Sequence, residues 1–164
     1  MSLTKTDTRA PKGYDKEKTK KETEKHIAEI SELQKILFAQ SKHSLLVILQ
    51  GMDASGKDGA MATVFKGINP LGCSVKAWKA PSTEERAHDF LWRIHKETPE
   101  KGMIKIFNRS HYEDVLVPTV EKWIDEKSTK ERYKHINAFE NLLAYNGTVV
   151  LKFYLHISRE EQHE

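Results

Sequence analysis

LLVILQGMDASGKDG, residues 45–59, decides the fold. Five apolar residues in succession, Leu45, Leu46, Val47, Ile48 and Leu49, read as a strand buried on both faces. Gln50 is followed by Gly51, four residues, then Gly56 and Lys57, the G-x-x-x-x-G-K spacing of a phosphate-binding loop between a strand and a helix. Along Gly51, Ala54, Ser55 and Gly56 the main-chain N–H groups can converge on phosphate oxygens, and the following helix offers its positive end. Lys57 adds a mobile charge able to follow phosphoryl charge from donor to acceptor. One residue breaks the pattern: Asp58 stands where a Ser or Thr would hold magnesium.

Asp53 and Asp58 bracket the loop. Two carboxylates beside a polyphosphate repel it unless a divalent cation intervenes, and Mg2+ takes one or two carboxylates together with waters and phosphate oxygens. Asp53 is therefore read as a metal or base residue. Asp58 is either a second metal ligand or a helix N-terminal charge, which is worth about 0.3–1 kcal/mol.

Outward from the loop, the helix over 56–66 should bury Met61, Val64 and Phe65 and stop at Gly67. Asn69-Pro70-Leu71-Gly72 is turn chemistry, and a short strand follows at 74–79. Ser82-Thr83-Glu84-Glu85 is a capping box, which predicts a helix ending before Pro99 with Ala87, Phe90, Leu91 and Ile94 inward. Residues 103–107 form a third buried strand, and NRSHYEDVLVPTV reads as a functional loop at its carboxyl end. A second box, Ser128 with Glu131, predicts a helix burying Tyr133, Ile136, Phe139 and Leu143, closed by Asn146-Gly147. A fourth strand spans 148–157. Upstream, residues 1–14 read as a disordered arm and 15–41 as an amphipathic helix with Ile27, Ile30, Leu33, Leu37 and Phe38 on one face. Residues 42–164 are then the core. The alternation of strand and helix predicts an α/β fold: a three-layer parallel sheet of P-loop kinase type, about four strands, helices on both faces.

At the end of the third strand, Asn108 occupies the place where such proteins carry a metal-binding aspartate, and Arg109 follows it. Arg109 is a candidate to stabilise transferring phosphoryl charge. Glu113 and Asp114 follow, one of them a candidate to orient the acceptor. Trp78, Lys79, His88, Trp92 and Arg93 form a looser set. His88 and Trp92 lie four apart and could flank a base or ribose, with core packing an equal alternative for Trp92. His111 reads as a hydrogen-bonded loop histidine rather than a base.

The chain has 164 residues, 38% hydrophobic and 31% charged, with a net charge of +3. No apolar run approaches the ~18 residues of a membrane span, and the N-terminus lacks a secretory pattern. A lone Cys73 excludes an internal disulfide, so the expected setting is cytoplasmic, with no membrane partner. The charge is too modest to argue for nucleic acid. Ser158-Arg159-Glu160-Glu161 starts a helix three residues before the last, which reads as a fold cut short.

LLVILQGMDASGKDG, INPLG, HDFLWRIHKETPEKG, IFNRSHYEDVLV and LKFYLHIS together resemble the polyphosphate:nucleotide phosphotransferases, or type 2 polyphosphate kinases, from about Leu33 onward. The resemblance implies a core similar to thymidylate kinases. It implies Mg2+-assisted transfer of a phosphoryl group between inorganic polyphosphate and a nucleoside mono- or diphosphate, in either direction. It assigns Asp53 and Lys57 to the first phosphate motif and Asn108 and Arg109 to the second. Glu113 resembles the branch that accepts both mono- and diphosphates. Leu71 stands where the family has glutamine and Thr119 where it has arginine. The family continues past LHIS into a basic helical lid and a last strand, which are missing here. Two other readings stay open: a catalytically silent phosphate- or nucleotide-binding module, and an ATP-dependent small-molecule kinase. Open sheet edges and the N-terminal helix lead us to expect a homo-oligomer.

Overall fold

The computed structural model describes residues 6–163. The first five residues of the expected arm and the terminal Glu164 lie outside the described residues. Residues 6–15 carry bends and one turn, in which the Tyr14 N–H donates to the Pro11 carbonyl at 3.1 Å.

Helix α1 (Lys16–Gln40) precedes strand β1 (Ser44–Gly51), and the loop leads to α2 (Lys57–Val64). A 3-10 turn (Pro70–Gly72) enters β2 (Cys73–Ala77). Single turns α3 (Thr83–Arg86) and α4 (Trp92–His95) lead to β3 (Ile104–Asn108). Then come α5 (Glu113–Val120), α6 (Glu126–Tyr145), β4 (Thr148–Leu155) and α7 (Arg159–His163).

The four strands form one parallel sheet in the order β2-β3-β1-β4. Central β1 explains its apolar run, because alternate side chains serve two cores. Leu46 and Ile48 join Trp78, Ile94, Phe107, Phe139 and Leu143 on one face. Val47 and Leu49 join Ile104 and Ile106 on the other, where Leu37, Met61 and Phe65 pack. Helices α4 and α6 thus cover one face, α1 and α2 the other. In register, Leu49 lies opposite Asn108 and Asn108 opposite Ala77, so the strands end along one rim beside the loop.

Several expectations are corrected. The helix predicted from Ser82 to Pro99 is broken: its capping box forms, but the Asp89 side chain accepts from the Leu91 N–H at 3.0 Å. That local turn competes with helix. The Ser128 box is not a helix start, since Asp125 caps α6 by accepting from the Ser128 N–H at 2.7 Å. The loop expected over NRSHYEDVLVPTV is helical from Glu113. Val64, Leu33, Phe38 and Tyr133, expected inward, are exposed, while Gln34 is 2% exposed where α1 packs on Gly72.

Candidate phosphate-binding site

The loop 51–56 turns through Ala54 (φ 62°) and Gly56 (φ 82°), both left-handed. Gly56 meets this at no steric cost, whereas Ala54 is held there against its preference. The turn closes as the Ser55 N–H donates to the Met52 carbonyl at 3.2 Å. Lys57, in the first turn of α2, is 8% exposed. Its ammonium donates to Gly51 O (3.0 Å), Met52 O (2.7 Å) and Ser55 Oγ (3.2 Å). Those contacts use all three of its donors. The charge is therefore fixed inside the curve of the loop.

Asn108 and Arg109 arrive from the end of β3. Asn108 Nδ2 donates to Asp58 Oδ1 at 2.6 Å, and Arg109 Nη2 to Asp53 Oδ1 at 2.5 Å. The Arg109 backbone is left-handed (φ 64°), and its N–H donates to Leu49 O at 3.0 Å. A non-glycine residue in that region carries a cost of order 1–3 kcal/mol, a feature that clusters at functional sites. Glu113 opens α5 and accepts from Gln50 Nε2 at 3.2 Å, which joins it to the strand that feeds the loop. Asp53, Lys57, Asp58, Asn108, Arg109 and Glu113 therefore share one rim.

Three predicted residues are placed differently. Arg93 is 6% exposed and spends its guanidinium on Asp114 and the Lys79 carbonyl. His88 stacks on Trp92 with ring centroids 3.9 Å apart and 14° between planes, while the Lys96 ammonium lies 3.1 Å from the Trp92 centroid. Both groups cannot occupy one face at those distances, so Trp92 is sandwiched and neither face is open to a base. His111 is fully buried, with Nε2 3.3 Å from Glu140 Oε1, so it is structural.

Glu140 gathers His111, Tyr112 (3.0 Å) and Lys152 (2.7 Å). Burial pushes its carboxyl up, but the His111, Lys152 and Tyr112 contacts outweigh that and hold it down at about 2. Asp114 goes the other way, its pKa raised by burial against the pull of Arg93.

The donors suit a hard cation. Asp53 and Asp58 supply carboxylates, and Asn108 Oδ1 is buried with no hydrogen-bond partner among the described residues. Among the described residues no cluster of three or more His, Cys, Asp or Glu side chains is assembled for a metal. Sequence reasoning missed Gln50 and Gln162, whose Nε2 donates to the Asp53 carbonyl at 3.1 Å. Gln50 could have been found as the polar residue that ends the apolar run.

A protein-family model described as polyphosphate kinase 2 matches residues 13–164. The chain belongs to that family. Among polyphosphate kinase 2 relatives, an AMP/ADP-polyphosphate phosphotransferase of Meiothermus ruber is 49% identical over 135 residues, 82% of this chain and 51% of the relative. An ADP-polyphosphate phosphotransferase of Rhodopseudomonas palustris is 43% identical, covering 83% of this chain and 51% of its own length. The crystal structure of polyphosphate kinase 2 from Arthrobacter aurescens TC1 has a TM-score of 0.95 at 41% identity, over 99% of this chain and 60% of that one. The fold of this family member is thus the α/β sheet of its solved relatives. The chain spans about half the length of the curated relatives it matches. The Thr119 hydroxyl donates to the Val115 carbonyl at 2.6 Å, and Leu71 is exposed.

Proposed function

We propose that this family member takes part in phosphoryl transfer between inorganic polyphosphate and a nucleoside mono- or diphosphate. The observation that carries the reading is the shared rim on which Lys57, Arg109, Asp53 and Glu113 meet around a phosphate loop. In this account the loop amides from Gly51 to Asp58 cradle the phosphates, and Lys57 balances their charge from within the loop. Arg109 neutralises charge on the transferring group from the β3 side. Glu113, beside the end of β1, orients the acceptor, and holding both reactants in line supplies much of the rate. Asp53 and Asp58, with the Asn108 amide, would hold Mg2+, whose contribution when bound is to neutralise phosphate charge. We take the acceptor to be a mono- or diphosphate oriented by Glu113, in keeping with the AMP/ADP-polyphosphate phosphotransferase name of the Meiothermus relative.

We also infer a homo-oligomer, supported by helix α1, whose Leu33, Ile36 and Phe38 are exposed. A cytoplasmic setting is supported by the lone Cys73, and among the described residues no helix is long and apolar enough to cross a membrane.

The test supplies one donor at a time. With Mg2+ and ADP or AMP, polyphosphate should give ATP or ADP, while ATP offered to other small acceptors should not react. Binding of tripolyphosphate without any turnover would favour a silent module instead.

A further inference from the structure

Asp114 sits one residue past Glu113 in the first turn of α5, and its side chain is turned into the protein. Arg93 Nη2 reaches both its oxygens, at 3.1 and 3.0 Å, and Arg93 Nη1 donates to the Lys79 carbonyl at 2.9 Å. Glu85 lies 3.7 Å from the same guanidinium, which packs 5.1 Å from the Trp78 ring centroid. One arginine therefore ties the β2–α3 connection, α3 and α4 to α5. The main chain is gripped as well. Pro118 has no N–H, so the Asp114 carbonyl lacks its partner one turn on; Arg132 of α6 donates to it instead.

A buried ion pair is weak evidence for stability, because well-packed apolar residues often do as well; fixing one arrangement is the better-attested use. Here the arrangement fixed is the rotation of α5. Single turns α3 and α4 gain little from their own helix formation, so the tie reinforces the anchoring of α5 that the Tyr112–Glu140 contact and buried Val115 provide. The residue it aims is Glu113, whose carboxylate meets Gln50 beside the loop. Side-chain tips stand roughly 5–6 Å from a helix axis. A turn of about 20° would therefore displace that carboxylate by about 2 Å, and a 1 Å misplacement can cost about 100-fold.

We propose that Asp114, held by Arg93 and Arg132, is a positioning residue that sets Glu113 for the acceptor nucleotide. This rests on the phosphoryl-transfer reading of the site.

The test is a double-mutant cycle read by calorimetry, with ADP and Mg2+ on one arm and tripolyphosphate on the other. Asp114→Asn should weaken ADP binding about tenfold while changing tripolyphosphate less than about twofold, and in a Glu113→Gln background it should add less than about twofold for ADP. An equal loss in both backgrounds, a parallel loss of both ligands with the melting temperature, or no loss would overturn the proposal. If Asp114→Asn does not fold, Arg132→Gln, which removes the main-chain grip together with the Arg132 contact on the Phe90 ring, should give an ADP-selective loss of about threefold, again absent with Glu113→Gln. A parent chain that binds neither ligand would overturn the phosphate-site reading and this proposal with it. A parent that binds both but gives an additive cycle would overturn the positioning role alone.

Discussion

Arg109 and Asp53 form an ion pair across the rim of the phosphate loop, Nη2 to Oδ1 at 2.5 Å. The Asp53 side chain is 82% exposed, so the pair is solvated and contributes little to folding, within about 1 kcal/mol. In the proposed function, the pair keeps a guanidinium at the place where phosphoryl charge develops. Arg109→Ala should leave the melting temperature nearly unchanged and lower turnover by about 10²–10³-fold. Thermal melts beside steady-state rates would separate the two effects, and a loss of stability without a loss of rate would contradict the assignment.

Gly51 carries a different constraint. A methyl group at its Cβ would run into Ser55 Oγ and stand 2.9 Å from the Leu155 carbonyl. Ser55 Oγ is one of the three acceptors of the Lys57 ammonium. Gly51→Ala should therefore disturb the seat of Lys57 and weaken tripolyphosphate binding by about tenfold or more, a charge-assisted hydrogen bond being worth about 1.5–3 kcal/mol. Calorimetry would read this directly, and unchanged affinity would show that the lysine does not depend on that seat.

The Glu140 cluster predicts a pH dependence. Its carboxyl titrates near 2 in the folded chain against 4.5 ordinarily, so it binds its proton less readily folded than unfolded. Such a group adds stability above about pH 4.5 and loses it as the pH falls through about 2. Glu140→Gln should melt below the parent at pH 7, and the gap should close as the pH drops from 5 toward 2. Asp114, raised by burial, has the opposite sign, but it is present in both proteins and cancels in the comparison. A gap that stays constant with pH would refute the charge-based role of Glu140.

What the sequence revealed of this molecule was local. Five apolar residues before Gly51, the spacing to Lys57 and the capping residues at Ser82 are contiguous signals, and the structure places them as expected. Placement at the end of β3 put Asn108 and Arg109 on the right rim, because parallel strands end together. The failures were competitions between neighbours or contacts far apart in sequence. Asp89 and Asp125 outbid the boxes and stripes around them by bonding nearby N–H groups. Arg93 looked like a ligand-binding arginine because nothing within its own segment indicates that Asp114, 21 residues away, neutralises it. Trp92 looked open to a base although Lys96, which covers one of its faces, stands at the same four-residue spacing as His88 and could have been read from it.

The central claim is tested most directly by 31P NMR of polyphosphate mixed with ADP and Mg2+, comparing the chain with its Lys57→Ala variant. The account predicts ATP phosphorus signals growing as polyphosphate end-groups change, at a rate about 10²-fold or more lower in the variant. Equal rates for the two proteins would contradict it, since the ammonium held inside the loop would then play no part in the transfer.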